Sequence, residues 1–113
     1  LSLKFWLGGG NVRMLKGLRA GHRFWTHHNE RMAHISPTDG VLNKILLIHT
    51  LLPPDLAQTL MRKVEHLRHY PSARRLLPAL EPVIAAEKKR NEVVLTRDFR
   101  WYLDRFKLRF PTE

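Results

Sequence analysis

Histidine can act as an acid, a base or a metal ligand, and seven histidines occur in these 113 residues. His27, Glu30 and His34 fall at positions i, i+3 and i+7, so a helix would present all three on one face. A zinc or iron ion there would need further ligands, and the candidates are His66 and His69 on another segment. Neither an H-E-x-x-H sequence nor paired Glu-x-x-His motifs occur, so we expect no metal and no cofactor, and histidines that face solvent or RNA.

The carboxylates and serines offer no better candidates for catalysis. Acid–base catalysis needs carboxylates whose pKa values are shifted in a shared cleft. Here acidic residues have basic neighbours about one helical turn away, and Asp104, for example, follows Arg100 by four positions. Ser36 and Ser72 stand in predicted turns, where helix capping explains them, and no nucleophile-elbow sequence surrounds either. We therefore expect neither an enzyme nor a small-molecule substrate.

Cations interleaved with aromatic side chains form two clusters, at residues 19–28 and 97–109, and these are the strongest functional signal. Cations attract phosphates, while aromatic rings and guanidinium planes stack on unpaired bases. An ordinary amphipathic helix explains any single aromatic residue, but both clusters together with a net charge of +10 favour RNA contact. The predicted RNA-binding residues are Arg13, Lys16, Arg19, His22, Arg23, Trp25, His27, His28, Lys88, Lys89, Arg90, Arg97, Arg100, Trp101 and Arg105.

The charge balance points to the same class of partner. Twenty Lys and Arg oppose ten Asp and Glu, and self-repulsion at that level opposes compaction unless a polyanion neutralises it. The excess lies at the two ends of the chain, around a nearly neutral middle at 36–71. Arg outnumbers Lys by thirteen to seven, which suits bidentate phosphate contacts, although genomic base composition explains that bias equally well. With no cysteine, disulfides and thiolate catalysis are excluded.

Three consecutive glycines, Gly8 to Gly10, follow a short amphipathic segment at the start of the chain. They lack the Lys-Ser/Thr of a phosphate-binding loop and continue no G-x-G-x-x-G spacing, so a hinge is predicted. Residues 1–10 are therefore predicted to form an extended arm that packs on something other than this chain. Residues 11–113 are predicted to form a single helical domain.

Apolar residues at helical spacing predict the elements of that domain. The clearest stripe is Leu56, Leu60, Val64 and Leu67 within a helix over 55–70. Because Pro78 and Pro82 interrupt the next apolar series, only a helix over about 78–90 is predicted there. Further helices are predicted from Asn11, over 22–35, over 41–52, and after a Thr96 cap. The predicted fold is all-α: a small irregular bundle of about four to five short helices with an extended N-terminal arm.

The chain carries no RNP strand, G-x-x-G loop, zinc finger or basic-zipper heptad. In composition and helical periodicity alone, it resembles the small accessory proteins of organellar ribosomes. That resemblance carries no site residues across, but it implies a structural subunit of a mitochondrial ribosome in the matrix, whose partners are rRNA and adjacent proteins. A third possibility, a protein–protein adaptor without a polyanion, would require acidic partners for both ends of the chain. The alternative of another class is an accessory subunit of a mitochondrial inner-membrane complex, of the respiratory chain or ATP synthase. Its Trp6, Trp25 and Trp101 would then anchor it at the membrane surface.

Overall fold

The structure is a computed structural model that describes residues 2–19, 21 and 36–111. Within those ranges all regular secondary structure is helical, so the all-α prediction is confirmed. The helix predicted over 22–35 lies outside the described residues. The helices are α1 (Ser2–Leu7), α2 (Pro37–Leu51), α3 (Pro54–Val64), α4 (Tyr70–Val94) and α5 (Phe99–Arg105).

Helix α2 is the centre of the fold, and its start follows from a capping box. The Ser36 hydroxyl accepts a hydrogen bond from the Asp39 amide at 3.1 Å, and the Asp39 carboxylate accepts one from the Ser36 amide at 3.3 Å. From there α2 packs against both α3 and α4. The buried core around α2 consists of Val41, Ile45, Ile48, Leu52, Val64 and Ala73.

Helix α4 is longer than the sequence predicts, because it begins at Tyr70 and runs through both internal prolines to Val94. A proline inside a helix removes a backbone hydrogen bond and costs about 3 kcal/mol. For this reason the sequence predicts a helix only from about Pro78 onward. Both Pro78 and Pro82 lie on the exposed side of the helix. The opposite side contacts α2 along the stripe that includes Ala73 and Leu77, and this packing holds the helix together.

Three other predicted boundaries are wrong. The helix predicted over 41–52 begins at Pro37, directly after its Ser36 cap. The helix predicted over 55–70 ends at Val64 and gives way to turns, so Leu67 is 37% exposed. The rest of that stripe packs on the core as predicted, with Val64 buried. The last helix is capped by Asp98 rather than Thr96, since the Asp98 carboxylate accepts a hydrogen bond from the Trp101 amide at 2.8 Å.

The predicted extended conformation of the N-terminal arm is wrong. Residues Ser2–Leu7 form α1, which packs against α5. Leu7 is fully buried, and its carbonyl oxygen accepts hydrogen bonds from the amides of Thr96 at 3.0 Å and Arg97 at 2.9 Å. Lys4 forms an ion pair with Glu87 of α4. The segment therefore folds onto its own chain, because the apolar side of α1 packs against aromatic residues of the α5 region.

The three glycines end α1 instead of forming a loose hinge. The Gly10 amide donates to the Phe5 carbonyl at 2.9 Å, and the Gly9 amide donates to the Trp6 carbonyl at 3.2 Å. This pair of bonds is the Schellman arrangement, in which the residue after the helix cap adopts a positive φ. Gly9 has φ of 89°, a conformation that glycine adopts without steric cost.

The helix predicted from Asn11 is also wrong, because residues 11–19 have no regular secondary structure. A turn occurs at Lys16 and Gly17, where Gly17 has φ of 81°. All nine of these residues are exposed. A short helix is only marginally stable without a surface on which to bury its apolar face, and this segment has none within the described residues.

Candidate nucleic-acid interface

Arg97 and Trp101, both predicted to bind RNA, lie together in an aromatic cluster between α1 and α5. The Arg97 guanidinium carbon is 4.1 Å from the centroid of the Trp101 ring. Its Nη1 donates to the carbonyl oxygens of Trp6 at 3.3 Å and Gly10 at 3.4 Å. The Trp6 ring lies 6.4 Å from the Trp101 ring and meets Phe106 edge-on at 5.0 Å. The structure thus gives Arg97 an intramolecular role, joining the end of α1 to α5.

Two other arginines of α5 also have partners within the chain. Arg100 forms an ion pair with Asp55 at the start of α3, and its hydrogen bond holds the pKa of Asp55 below the usual value. The Arg105 guanidinium lies 6.0 Å from the centroid of the Phe106 ring. Both arginines remain exposed, so these contacts restrain their geometry without hiding their charge from solvent.

The predicted basic run near the C-terminal end of α4 contains one ion-paired cation, Arg90, and two cations without an ion pair to a carboxylate of the described residues, Lys88 and Lys89. Arg90 lies 3.6 Å from Glu87, the carboxylate that also pairs with Lys4. The hydrogen bond from Lys4, with the charges of both cations, lowers the pKa of Glu87. Lys88 and Lys89 are exposed, and neither forms an ion pair with a carboxylate of the described residues.

An open groove of about 1060 Å³ lies beside Lys88, between the end of α2, the start of α3 and the segment that joins α4 to α5. Asn91 lines it and is 6% exposed. Its Nδ2 donates to the Thr50 carbonyl at 2.9 Å, while its Oδ1 is buried without a hydrogen-bond partner in the described part of the chain. Burial and the charge of Lys88 lower the pKa of His49 on the same groove wall. Two cations, Lys88 and Arg97, thus line the groove, and the unpaired Asn91 oxygen is buried rather than open to it.

The N-terminal part of the predicted interface is only partly described. Arg13, Lys16 and Arg19 are exposed in the irregular segment 11–19. They alternate with exposed apolar residues, of which Met14 is 90% exposed. The predicted residues that lie outside the described ranges are His22, Arg23, Trp25, His27 and His28, together with the metal-ligand candidates Glu30 and His34.

The structure adds cations that the sequence analysis missed. Arg74 and Arg75 are exposed near the start of α4, fourteen residues before Lys88 and Lys89. Fourteen residues are close to four helical turns, so the two pairs lie on similar faces about 21 Å apart. One sequence feature could have marked them: no acidic residue occurs between Glu65 and Glu81, although that stretch contains three arginines.

Two kinds of site are not found among the described residues. No group of three or more His, Asp or Glu side chains there is placed to hold a metal ion. No helix in the same ranges combines the length and apolar character needed to cross a membrane. The chain matches no protein-family model, no curated protein and no solved structure.

Proposed function

We propose that this protein is a structural RNA-binding subunit of a large ribonucleoprotein, a mitochondrial ribosomal protein of the matrix that braces rRNA and neighbouring proteins. The observation that carries the proposal is a set of exposed cations that form no ion pair with a carboxylate of the described residues. Assignment to the mitochondrial ribosome rests on resemblance in composition. The cations in this set are Arg13, Lys16, Arg19, Lys44, Lys63, Arg68, Arg74, Arg75, Lys88, Lys89, Arg105 and Arg109.

An extended polyanion suits this arrangement better than a small anion does. The cation pairs Arg74–Arg75 and Lys88–Lys89 are separated by about 21 Å along one rigid helix, so a single phosphate group cannot neutralise both pairs. A nucleic-acid strand carries phosphates over that distance, and each phosphate contact releases a counterion.

The test is the salt dependence of RNA binding by the full chain, measured by fluorescence anisotropy with an rRNA fragment between about 50 and 200 mM salt. Replacing both Lys88 and Lys89 with Gln should reduce the slope of log K against log salt by about 1.4, because each single-strand phosphate contact contributes about 0.7. The matched control replaces Arg100 and Lys107 with Gln. It removes the same charge from cations that already pair with Asp55 and Asp104.

The control should change the slope by less than half as much. A nearly flat salt response of the wild-type chain, or an equal change in the two double variants, would contradict the proposal. Circular dichroism of both variants should match the wild type, since all four replaced side chains are exposed.

A specific observation favours the second candidate, an accessory subunit that lies on the surface of a mitochondrial inner-membrane complex. Residues 11–19 expose Met14, Leu15 and Leu18 beside cations, the combination with which a peripheral segment enters the interface of an anionic bilayer. Salt weakens membrane binding as well as RNA binding, so flotation with anionic liposomes is compared with an RNA pull-down. Flotation that Leu15→Glu abolishes, without RNA capture, would replace the first candidate with this one.

A further inference from the structure

Helix α4 carries a largely apolar face that none of the other helices in the described part of the chain covers. Its first five residues recur at alternating spacings of three and four, Val94 follows four residues later, and all six are exposed, with Val83 at 58%. This face is rotated by about 100° from the stripe that packs on α2, and it extends along about 27 Å of helix. We name this face the outer seam, and it consists of Leu76, Ala79, Val83, Ala86, Arg90 and Val94.

The spacing of the outer seam is the spacing that one helix uses to pack along another. Apolar residues at alternating intervals of three and four keep one line of contacts facing a partner helix. Ala79 and Ala86 leave room for close approach, and Leu76, Val83 and Val94 supply the larger side chains. A lipid surface suits the seam less well, because interfacial helices bind through Trp, Phe and several Leu residues.

Charge around the outer seam identifies the chemistry of the partner. Arg75 and Lys89 flank it on the side away from α2, and Arg90 lies within it. Glu81 and Glu92 lie on the other side of the helix, and Glu87, at the seam's inner edge, is paired with Lys4. A second copy of this chain would bring like charges together, which is unfavourable, whereas acidic residues would complement them.

We propose that the outer seam of α4 binds an amphipathic helix of another protein, whose apolar face is flanked by acidic side chains. The outer seam shares the flanking cations Arg75 and Lys89 with the RNA-binding proposal, but the apolar residues that define the seam are not part of that proposal. An RNA-binding result of either sign therefore leaves it standing.

The test uses the full chain and a synthetic, fluorescein-labelled helical peptide long enough to cover the outer seam. The probe peptide carries Leu and Ala at alternating three- and four-residue spacing, with Glu at the flanking positions. A second peptide has Lys in place of each of those Glu residues. Anisotropy titration should show binding of the acidic peptide, with Kd below about 1 mM, and at least tenfold weaker binding of the basic peptide.

Ala86→Glu and Ala85→Glu form a matched pair of variants. Both introduce the same side chain at adjacent exposed positions of one helix, but only Ala86 lies in the outer seam. Ala86→Glu should weaken binding of the acidic peptide at least tenfold, and Ala85→Glu by less than about twofold, because like charges face each other only in the first case. If Ala86→Glu changes the circular dichroism spectrum, Ala79→Glu supplies a second seam variant.

Three results would each overturn this proposal. The first is no binding of the acidic peptide by the wild-type chain up to about 1 mM. The second is an equal loss in the Ala86→Glu and Ala85→Glu variants, which would show nonspecific charge attraction. The third is flotation of the chain with anionic vesicles that Ala86→Glu, but not Ala85→Glu, abolishes, because the seam would then be a lipid-binding surface.

Discussion

The Arg97 guanidinium stacks over the indole ring of Trp101, 4.1 Å from its centroid, while also donating to the Trp6 and Gly10 carbonyls. One side chain thus contacts the last helix and satisfies two carbonyl groups at the end of the first. An arginine between aromatic residues is typical of RNA recognition, but here the stacking partner comes from the same chain. This geometry makes Arg97 a residue of the fold, and the consequence is measurable.

Arg97→Ala should lower the free energy of unfolding by about 1–3 kcal/mol, since it removes charge-assisted hydrogen bonds and a cation–π contact. Urea denaturation of the wild type and variant checks this value. Arg97→Lys should recover only part of the loss, because an ammonium lacks the planar fork that stacks on Trp101 while reaching two carbonyls. Arg105→Ala is the control, and a change within about 0.5 kcal/mol is expected for that exposed arginine. Equal effects of the two alanine variants would contradict the assigned role of Arg97.

Local sequence signals predicted α2 well and α4 poorly, for an identifiable physical reason. The Ser36–Asp39 capping box lies within four residues, so the cap of α2 can be recognised in the sequence, although the helix begins at Pro37 and not at 41 as predicted. The beginning of α4 cannot, because Pro78 and Pro82 disfavour helix locally and the compensating contact of Ala73 with the core is tertiary. The spacing of apolar residues indicates the helical class, but tertiary packing determines the length of this helix.

The candidate interface was only partly predictable for a related reason. Sequence position indicated that Arg100 is a cation beside aromatics, but its partner Asp55 lies 45 residues away in the chain. In the same way, Arg97 meets Trp6 and Gly10 only because α1 folds back onto α5. Whether a cation is already paired within the protein depends on such long-range contacts, which residue types and spacing do not contain.

The core around α2 predicts an order of mutational effects. Ile45 is fully buried, so Ile45→Ala should lower the free energy of unfolding by about 2–5 kcal/mol through lost burial and a residual cavity. Leu60 packs on the same core but is only partly buried, so Leu60→Ala should cost less, about 1–2 kcal/mol. Denaturant unfolding of both variants tests the order. A larger loss for Leu60→Ala would show that α3, rather than α2, forms the centre of the core.

His49 predicts a pH dependence of stability. Burial, and then the charge of Lys88, lower its pKa, and Glu81 of α4 lines a second, smaller cavity together with His49. As the pH falls below about 6.5, the unfolded chain takes up this proton before the folded chain does. The free energy of unfolding should therefore decrease from pH 6.5 down to the lowered pKa of folded His49. Thermal unfolding between about pH 5 and 7.5 measures the decrease.

His49→Gln should flatten that part of the pH profile, because the side chain with different proton affinities in the two states is gone. The control is His66→Gln, which removes an exposed imidazole from the turn after α3 and should keep the wild-type profile. An unchanged profile in His49→Gln would assign the pH dependence to another group.

The docking of α1 is tested by two glycines with opposite requirements. Gly9 has φ of 89°, and a Cβ there would lie 2.9 Å from the Thr96 hydroxyl oxygen. Gly9→Ala should therefore lower the free energy of unfolding by about 1–2 kcal/mol, through backbone strain and a contact that Thr96 must relieve.

Gly40 lies within α2, where a Cβ would meet nothing within 4 Å. Gly40→Ala should instead stabilise the chain by about 0.5–1 kcal/mol, since alanine restricts the unfolded state and favours helix. If α1 were detached, Gly9 would be unconstrained and Gly9→Ala would have almost no effect in thermal unfolding. Destabilisation by Gly9→Ala beside stabilisation by Gly40→Ala is the result expected when the Schellman turn holds α1 against Thr96.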